Sequence, residues 1–354
     1  MHLKKEKDTT LQTENIMKPV FFLFLISGLY SRKETKPLQI VFATLFHLMS
    51  LSNEAFKIFC MTRNTNWRLV CAAVVEAIPL SLWWLGRIKM KDILSLIKQL
   101  DFFVDLLVLR DYKRILKVTR LATIAVISFI CLHPIIRAIG YLTPSNTFPT
   151  CALGVVSSLK GWKRVIMYLL YEVFNTYPET SVTFTVVSFY VCYCYTLSLS
   201  LRHKHFYKAR EYKVYERTLR VFKDLEKVFS FLIFGIISHI VFRILRRMLL
   251  ILSTGQNVIK YVHLMNLIVD MLTIVTIVLG AENAQQKAND LRISLFTNRG
   301  VNCSNGEYAR LTEDSRFLRL TGWGMFILHK PLLLSLVAWL FTYGAILLPY
   351  YIPP

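Results

Sequence analysis

Apolar residues along this chain gather into long, nearly unbroken runs, and the polar stretches between them are short and mostly basic. A helix needs roughly twenty consecutive apolar residues to cross a hydrocarbon layer about 30 Å thick, and the runs reach that length. They delimit seven predicted membrane spans, at 38–60, 69–86, 121–141, 177–201, 228–252, 259–281 and 331–349. The third span holds Pro134 and the fourth begins beside Pro178, so kinks are expected there, with neighbouring helices satisfying the freed carbonyl groups.

Two polar stretches carry a helical rhythm of their own. Tyr212, Tyr215, Leu219, Phe222, Leu225 and Phe229 recur at three- or four-residue spacing among charges, which predicts one apolar stripe facing a partner, with spans four and five extending beyond the membrane. The stretch AENAQQKANDLRISLF prolongs span six as helix to about residue 296, and the turn residues of TNRGVNCSNG interrupt it. A second helix is expected from 307 to 329, with Pro331 marking a break before the last span. Near the start, MKPVFFLFLISGLYS from Met17 has the short apolar core of a secretory signal. Cleavage would leave Arg32, Lys33 and Lys36 on the outer side, so an amphipathic segment against the inner leaflet is the preferred expectation.

Composition agrees with a lipid-embedded chain: 54% of the 354 residues are hydrophobic. A net charge of +21 would suit a nucleic-acid partner if it sat on one module, but the basic residues are interleaved with the apolar runs, and no nucleic-acid partner is expected. Their placement orients the chain instead. Thirty-two Lys and Arg fall before span one and in the loops 87–120, 202–227 and 282–330, against five in the loops and tail on the other side. The basic side of a membrane protein is cytoplasmic. The expectation is an all-α integral membrane protein with seven transmembrane helices, a cytoplasmic N-terminus and an extracellular C-terminus. It divides into a cytoplasmic segment 1–37, helices one to six over 38–281, a cytoplasmic loop 282–330 and a last helix with its tail over 331–354. The sequon at Asn302 then stays unmodified, because its loop is cytoplasmic.

Catalytic signatures are missing. The chain has no phosphate-binding GxxxxGK loop, no HExxH, no GxSxG and no complete GxGxxG, so no enzyme and no cofactor are expected. The seven cysteines show no CxxC spacing and most lie in apolar runs, which suits packing; Cys192 and Cys194 point to different helix faces and make a poor metal pair.

The ionisable residues inside the spans point to function. Arg243, Arg246 and Arg247 share a face of span five, and each charge at mid-membrane costs roughly 2.5–3.5 kcal/mol to insert. They are expected to face protein, water or the outer interface, with Glu76, Glu172, Glu179 and Asp270 as possible partners. Aromatic and polar groups lie at similar depth. Glu76, His133, Arg137, Tyr168, Tyr171, Tyr177, His239, Arg243 and His263, with Tyr261, form a candidate small-molecule pocket of apolar walls and a few orienting polar groups.

The stretch GWGMFILHKPLLLSLVAWLFTYGAILLPYY resembles the C-terminal signature of the arthropod gustatory receptor family, in which Thr-Tyr, five hydrophobic residues and usually Gln-Phe end the last helix. Thr342 and Tyr343 match, residues 344–348 supply the hydrophobic five, and Pro349 and Tyr350 stand where the family has Gln and Phe. AENAQQKANDL after span six is also similar to that family, as are the length and topology. The resemblance implies a tastant-opened, tetrameric, non-selective cation channel in the plasma membrane, homomeric or built with related receptor subunits, anchored by the cytoplasmic helix ends. Its last helix would line the pore through Thr342, Tyr343, Ala345, Ile346, Leu348 and Pro349. Helical spacing does place Thr342, Ala345 or Ile346, and Pro349 on one face. Pro349 cannot offer the amide that would replace water around an ion, so selectivity rests on other groups or on a partner subunit. A transporter or lipid scramblase, a seven-helix receptor acting through a G protein, and a non-conducting auxiliary subunit are the alternatives.

Overall fold

The computed structural model describes residues 2–30, 36–63, 67–141, 161–202, 208–253, 257–299 and 318–351, with side chains left out at several helix ends. The described residues are almost entirely helical. They form α1 (His2–Ile26), α2 (Lys36–Arg63), α3 (Trp67–Ile88), α4 (Met90–Val104), α5 (Leu109–Tyr141), α6 (Trp162–Ser200), α7 (Lys208–Ser253), α8 (Asn257–Arg299) and α9 (Lys330–Tyr351), with a two-stranded ribbon of β1 (Thr321–Gly322) and β2 (Phe326–Ile327) ahead of α9. The seven expected spans fall in α2, α3 and α5–α9, span four ending at the C-cap Leu201. Five of these helices, α5 to α9, are long and apolar enough to cross a membrane. Pro134 and Pro178 lie inside the continuous helices α5 and α6.

At the centre stands α6, packed against α1 to α5 and α8, with 78% of its most apolar window buried. Its core face is rich in hydroxyls, and four of them are satisfied within the helix. Thr176, Thr180, Thr196 and Ser200 each donate to the carbonyl four residues earlier, at 2.7–2.8 Å, so a polar side chain enters the core without leaving a donor unpaired.

The segment around Met17 packs one face into the bundle: Ile16, Met17, Val20, Leu23 and Phe24 are all at most 1% exposed. The end of α1 is held by side chains from three other helices. A helix terminus leaves its last carbonyls without donors. Here Tyr177 Oη donates to Ile26 O at 2.5 Å, Trp83 Nε1 to Ser27 O at 2.8 Å, Gln39 Nε2 to Gly28 O at 3.3 Å and Arg87 Nη1 to Leu29 O at 2.6 Å.

The extended helices are largely as expected. In α7 Tyr215, Phe222, Leu225 and Phe229 are buried, Leu219 is partly so, and α8 runs unbroken to Arg299. Helix α6 stops at Ser200, so only span five extends into that polar region. The side chain of Tyr212 and the sequon at Asn302 lie outside the described residues.

Two features depart from expectation. The basic stretch after span two contains α4, whose Met90, Ile93, Leu96, Ile97, Leu100 and Phe103 make a buried stripe against α1, α6 and α7. Residues 318–329, expected as helix, instead make the ribbon, in register Thr321↔Ile327 and Gly322↔Phe326. Trp323 (φ +53°) and Gly324 (φ +69°) adopt left-handed backbone that ends any helix there. The expected stretch 307–317 lies outside the described residues.

Candidate functional site

The ribbon seats the start of α9. Trp323 N–H donates to Ser230 O at 3.1 Å, Thr321 N–H to Glu226 Oε2 at 2.8 Å, and Gln285 bridges Leu328 O and Leu320 N–H at 2.9 and 3.1 Å. From that anchor α9 runs along α7 and α8, burying Leu332 and Leu340 and half-burying Leu333, Leu336 and Leu347. Its other side is bare. Only 6% of its apolar window is buried within the chain; Leu334, Ala338, Phe341, Thr342, Ala345 and Pro349 are all exposed on one face. Thr342 Oγ1 donates to Ala338 O at 2.9 Å, so its polar atom is already satisfied within the helix. Ile346 is exposed at the flank of that face, whereas Tyr343, seven residues from Leu336, lies on the packed side of the helix rather than the bare one, 43% exposed and against Trp339 at 4.5 Å between ring centroids. The side chain of Leu348 lies outside the described residues.

The charges inside the spans converge on one buried network. Arg243 of α7 spreads its two terminal nitrogens, Nη1 to Glu179 Oε1 of α6 at 2.6 Å and Nη2 to Asp270 Oδ1 of α8 at 2.7 Å. One turn on, Arg247 Nη1 meets the second oxygen of Asp270 and donates to Asn266 O at 2.9 Å. His239 Nε2 sits 3.4 Å from the same Glu179 oxygen. Two turns earlier on the same face of α6, Glu172 pairs with Arg137 of α5 at 2.9 Å, the carboxylate side chain being 0% exposed. The fork geometry of guanidinium lets one side chain hold two carboxylates, which is how three helices share their charges without facing lipid.

A hollow opens beside this network, lined by Val75, Arg137, Glu179, Arg243, Arg246, Arg247, His263 and Asn266. It encloses about 360 Å³ of empty space, including open solvent, yet there is room for no more than about one water molecule. Of the expected pocket residues, Arg137, Arg243 and His263 line it and His239 touches its wall through Glu179. The others lie apart from its lining. His133 stacks on Phe129 at 4.8 Å, Tyr168 lies under Arg164, Tyr171 meets Phe56 edge-on at 5.8 Å, and Tyr177 holds the end of α1. Glu76, expected both in the pocket and as a partner for arginine, has its side chain outside the described residues. Sequence reasoning placed Glu179 and Asp270 as acid partners but missed Asn266 and Val75, whose roles come from a backbone carbonyl and from position. Cys192 and Cys194 are both buried as free thiols in the core, and no metal-binding group occurs among the described residues.

No family model and no curated protein matches the chain. Among solved structures, it matches the insect olfactory receptor OR5 from Machilis hrabei, both in a structure under that receptor's name alone and in complex with eugenol. In each comparison the TM-score is 0.54 at 12% identity, over 96% of this chain and 99% of the other. The fold is that of an insect olfactory receptor. It is a multi-pass, all-helical membrane architecture, and the solved proteins that share it here are receptors rather than enzymes.

Proposed function

We propose that the chain is a subunit of a small-molecule-gated, non-selective cation channel of the arthropod chemoreceptor type, gustatory by its C-terminal signature. It sits in the plasma membrane with seven spans, α2, α3 and α5 to α9, its N-terminus inside and its C-terminus outside. The observation that carries this reading is the match to an olfactory receptor over nearly the full length of both chains. The bare face of α9 supports it: a helix that buries so little of itself within its own subunit has an apolar surface to place against copies of itself around a shared axis. Four such helices, from identical chains or related subunits, would set Thr342, Ala345 and Pro349 along a narrow path that resists wetting when closed.

The ligand, a small-molecule tastant, would enter where α3, α5, α6, α7 and α8 meet. The hollow there is too small for it in this conformation. A ligand that binds an opened arrangement more tightly shifts the population toward that arrangement by its differential affinity alone. Because Arg243 joins α6 to α8 through α7, widening the hollow strains those pairs and moves α7 and α8, the two helices that carry α9.

Expression in a cell line, alone and with related receptor subunits, with current recorded across a tastant panel, tests the reading. Ligand-evoked cation current supports it. Lipid scrambling in liposomes without ligand-gated current would favour the scramblase alternative, and an extracellular N-terminal tag would favour a G-protein-coupled receptor. Current only on co-expression would mark a subunit in which Pro349 needs a partner's polar group.

A further inference from the structure

The basic start of α5 and its apolar remainder share one outward face. Arg110, Lys113, Arg114, Lys117 and Arg120 are all exposed, and at helical pitch they fall within a stripe about 120° wide. Leu121, Ile124, Leu132, Ile135 and Ile139 continue that stripe, each at least 43% exposed. The opposite face, with Ile115, Thr119, Thr123 and Ile130, is buried in the bundle, where α5 packs against α1, α6 and α8. Asp111 is the one acid in the helix, and none of the five cations takes part in an ion pair among the described residues.

We infer that this stripe is a binding site for anionic phospholipid headgroups, most tightly for those carrying several phosphate charges. The apolar half of the stripe fixes the depth. With residues 121–139 in hydrocarbon, Lys113, Lys117 and Arg120 stand within about 12 Å of its edge, in reach of the headgroup layer. A lipid is the occupant that satisfies both halves at once: its chains cover the exposed Leu and Ile while its phosphates meet the cations above them. A soluble anion would use only the upper half. Five cations in one stripe exceed what a singly charged headgroup neutralises, which favours the polyanionic class. Under the proposed orientation this is the cytoplasmic leaflet.

The test uses the full chain in nanodiscs of phosphatidylcholine with a few per cent phosphatidylinositol bisphosphate, with bound anionic lipid counted by native mass spectrometry. Each cation near a membrane surface is worth roughly fivefold in affinity. Lys113→Gln/Arg114→Gln/Lys117→Gln is therefore expected to lower retained anionic lipid at least about tenfold. The charge-preserving Lys113→Arg/Lys117→Arg, and Lys98→Gln/Lys213→Gln/Lys227→Gln with the same charge loss elsewhere, should retain it. Equal retention by the first variant, equal loss by the last, or displacement of the lipid by soluble inositol trisphosphate at matched concentration overturns the inference. The site requires the membrane fold but not conduction, so a chain that carries no current leaves it standing.

Discussion

His239 Nδ1 lies 3.1 Å from the backbone oxygen of Val75, the carbonyl that Pro79, four residues on in α3, cannot serve with an N–H. A carbonyl only accepts, so Nδ1 donates a hydrogen to it, while Nε2 stands 3.4 Å from Glu179 Oε1. One imidazole thereby joins the proline of α3 to the ionic network of α6, α7 and α8. His239→Ala is expected to cost about 1–3 kcal/mol, since it strands a buried acceptor. In a Pro79→Ala background, where residue 79 regains its N–H, the same change should cost less. Thermal unfolding of the four proteins in detergent reads the coupling, and strictly additive losses would contradict the pairing.

Asp270 receives two guanidinium groups in the core of the bundle. Removing one partner of a buried ion pair costs about 3–5 kcal/mol, because the other charge stays buried. Asp270→Asn should therefore give a poorly stable protein, with Arg243→Gln/Asp270→Asn recovering part of the loss. Melting curves of the purified variants decide this; an unchanged midpoint for Asp270→Asn means the network is not buried in the protein.

Gly28 turns the chain out of α1 with φ +69°, and a Cβ there would stand 2.6 Å from both the Cα and the N of Ala43. Gly161 has a similar φ, +63°, with nothing within 4 Å. Left-handed backbone costs a side chain about 1–3 kcal/mol, so Gly161→Ala should show no more than that. Gly28→Ala must also push α2 away, and is expected to lower the yield of folded, monodisperse protein where Gly161→Ala does not.

Asp101 in α4, outside the predicted spans, has its carboxyl pKa raised above the ordinary value, first by burial and then by Glu14 and Asp105, although a hydrogen bond with Thr13 opposes this. A carboxyl whose pKa is raised on folding favours the fold when protonated. Stability from this group is therefore lost as pH climbs from near 4 through the raised value. Asp101→Asn is expected to stabilise the chain slightly at pH 7 and to flatten the slope of melting temperature against pH above 4; an unchanged slope would contradict it.

The five candidate spans in α5 to α9 were legible because mid-membrane backbone must bond within its own helix, which forces long apolar runs into the sequence. The need of Arg243 and Arg247 for acids was legible for a related reason, since lone charges in lipid are costly. Which acid meets which arginine was not, because it depends on how α6, α7 and α8 are rotated against one another. Helix α4 was hidden by its charges: Lys91, Asp92, Lys98 and Asp101 read as a loop while Ile93, Leu96, Leu100 and Phe103 kept a three- or four-residue rhythm. The ribbon before α9 was marked by Gly322 and Gly324 around Trp323, a turn signal set in an apolar stretch that invited a helix. The burial of α1 had no local mark, because its apolar face suits a leaflet as well as a bundle.

The placement of α9 beside an ion path is tested most directly at Thr342. Cells expressing Thr342→Cys, with a partner subunit where one is needed, are challenged with an activating tastant and then with a membrane-impermeant thiol reagent. The evoked current is expected to fall irreversibly with Thr342→Cys but not with Leu336→Cys, whose side chain faces the bundle. Complete labelling of the cysteine at 342 with no change in current or permeability would contradict it.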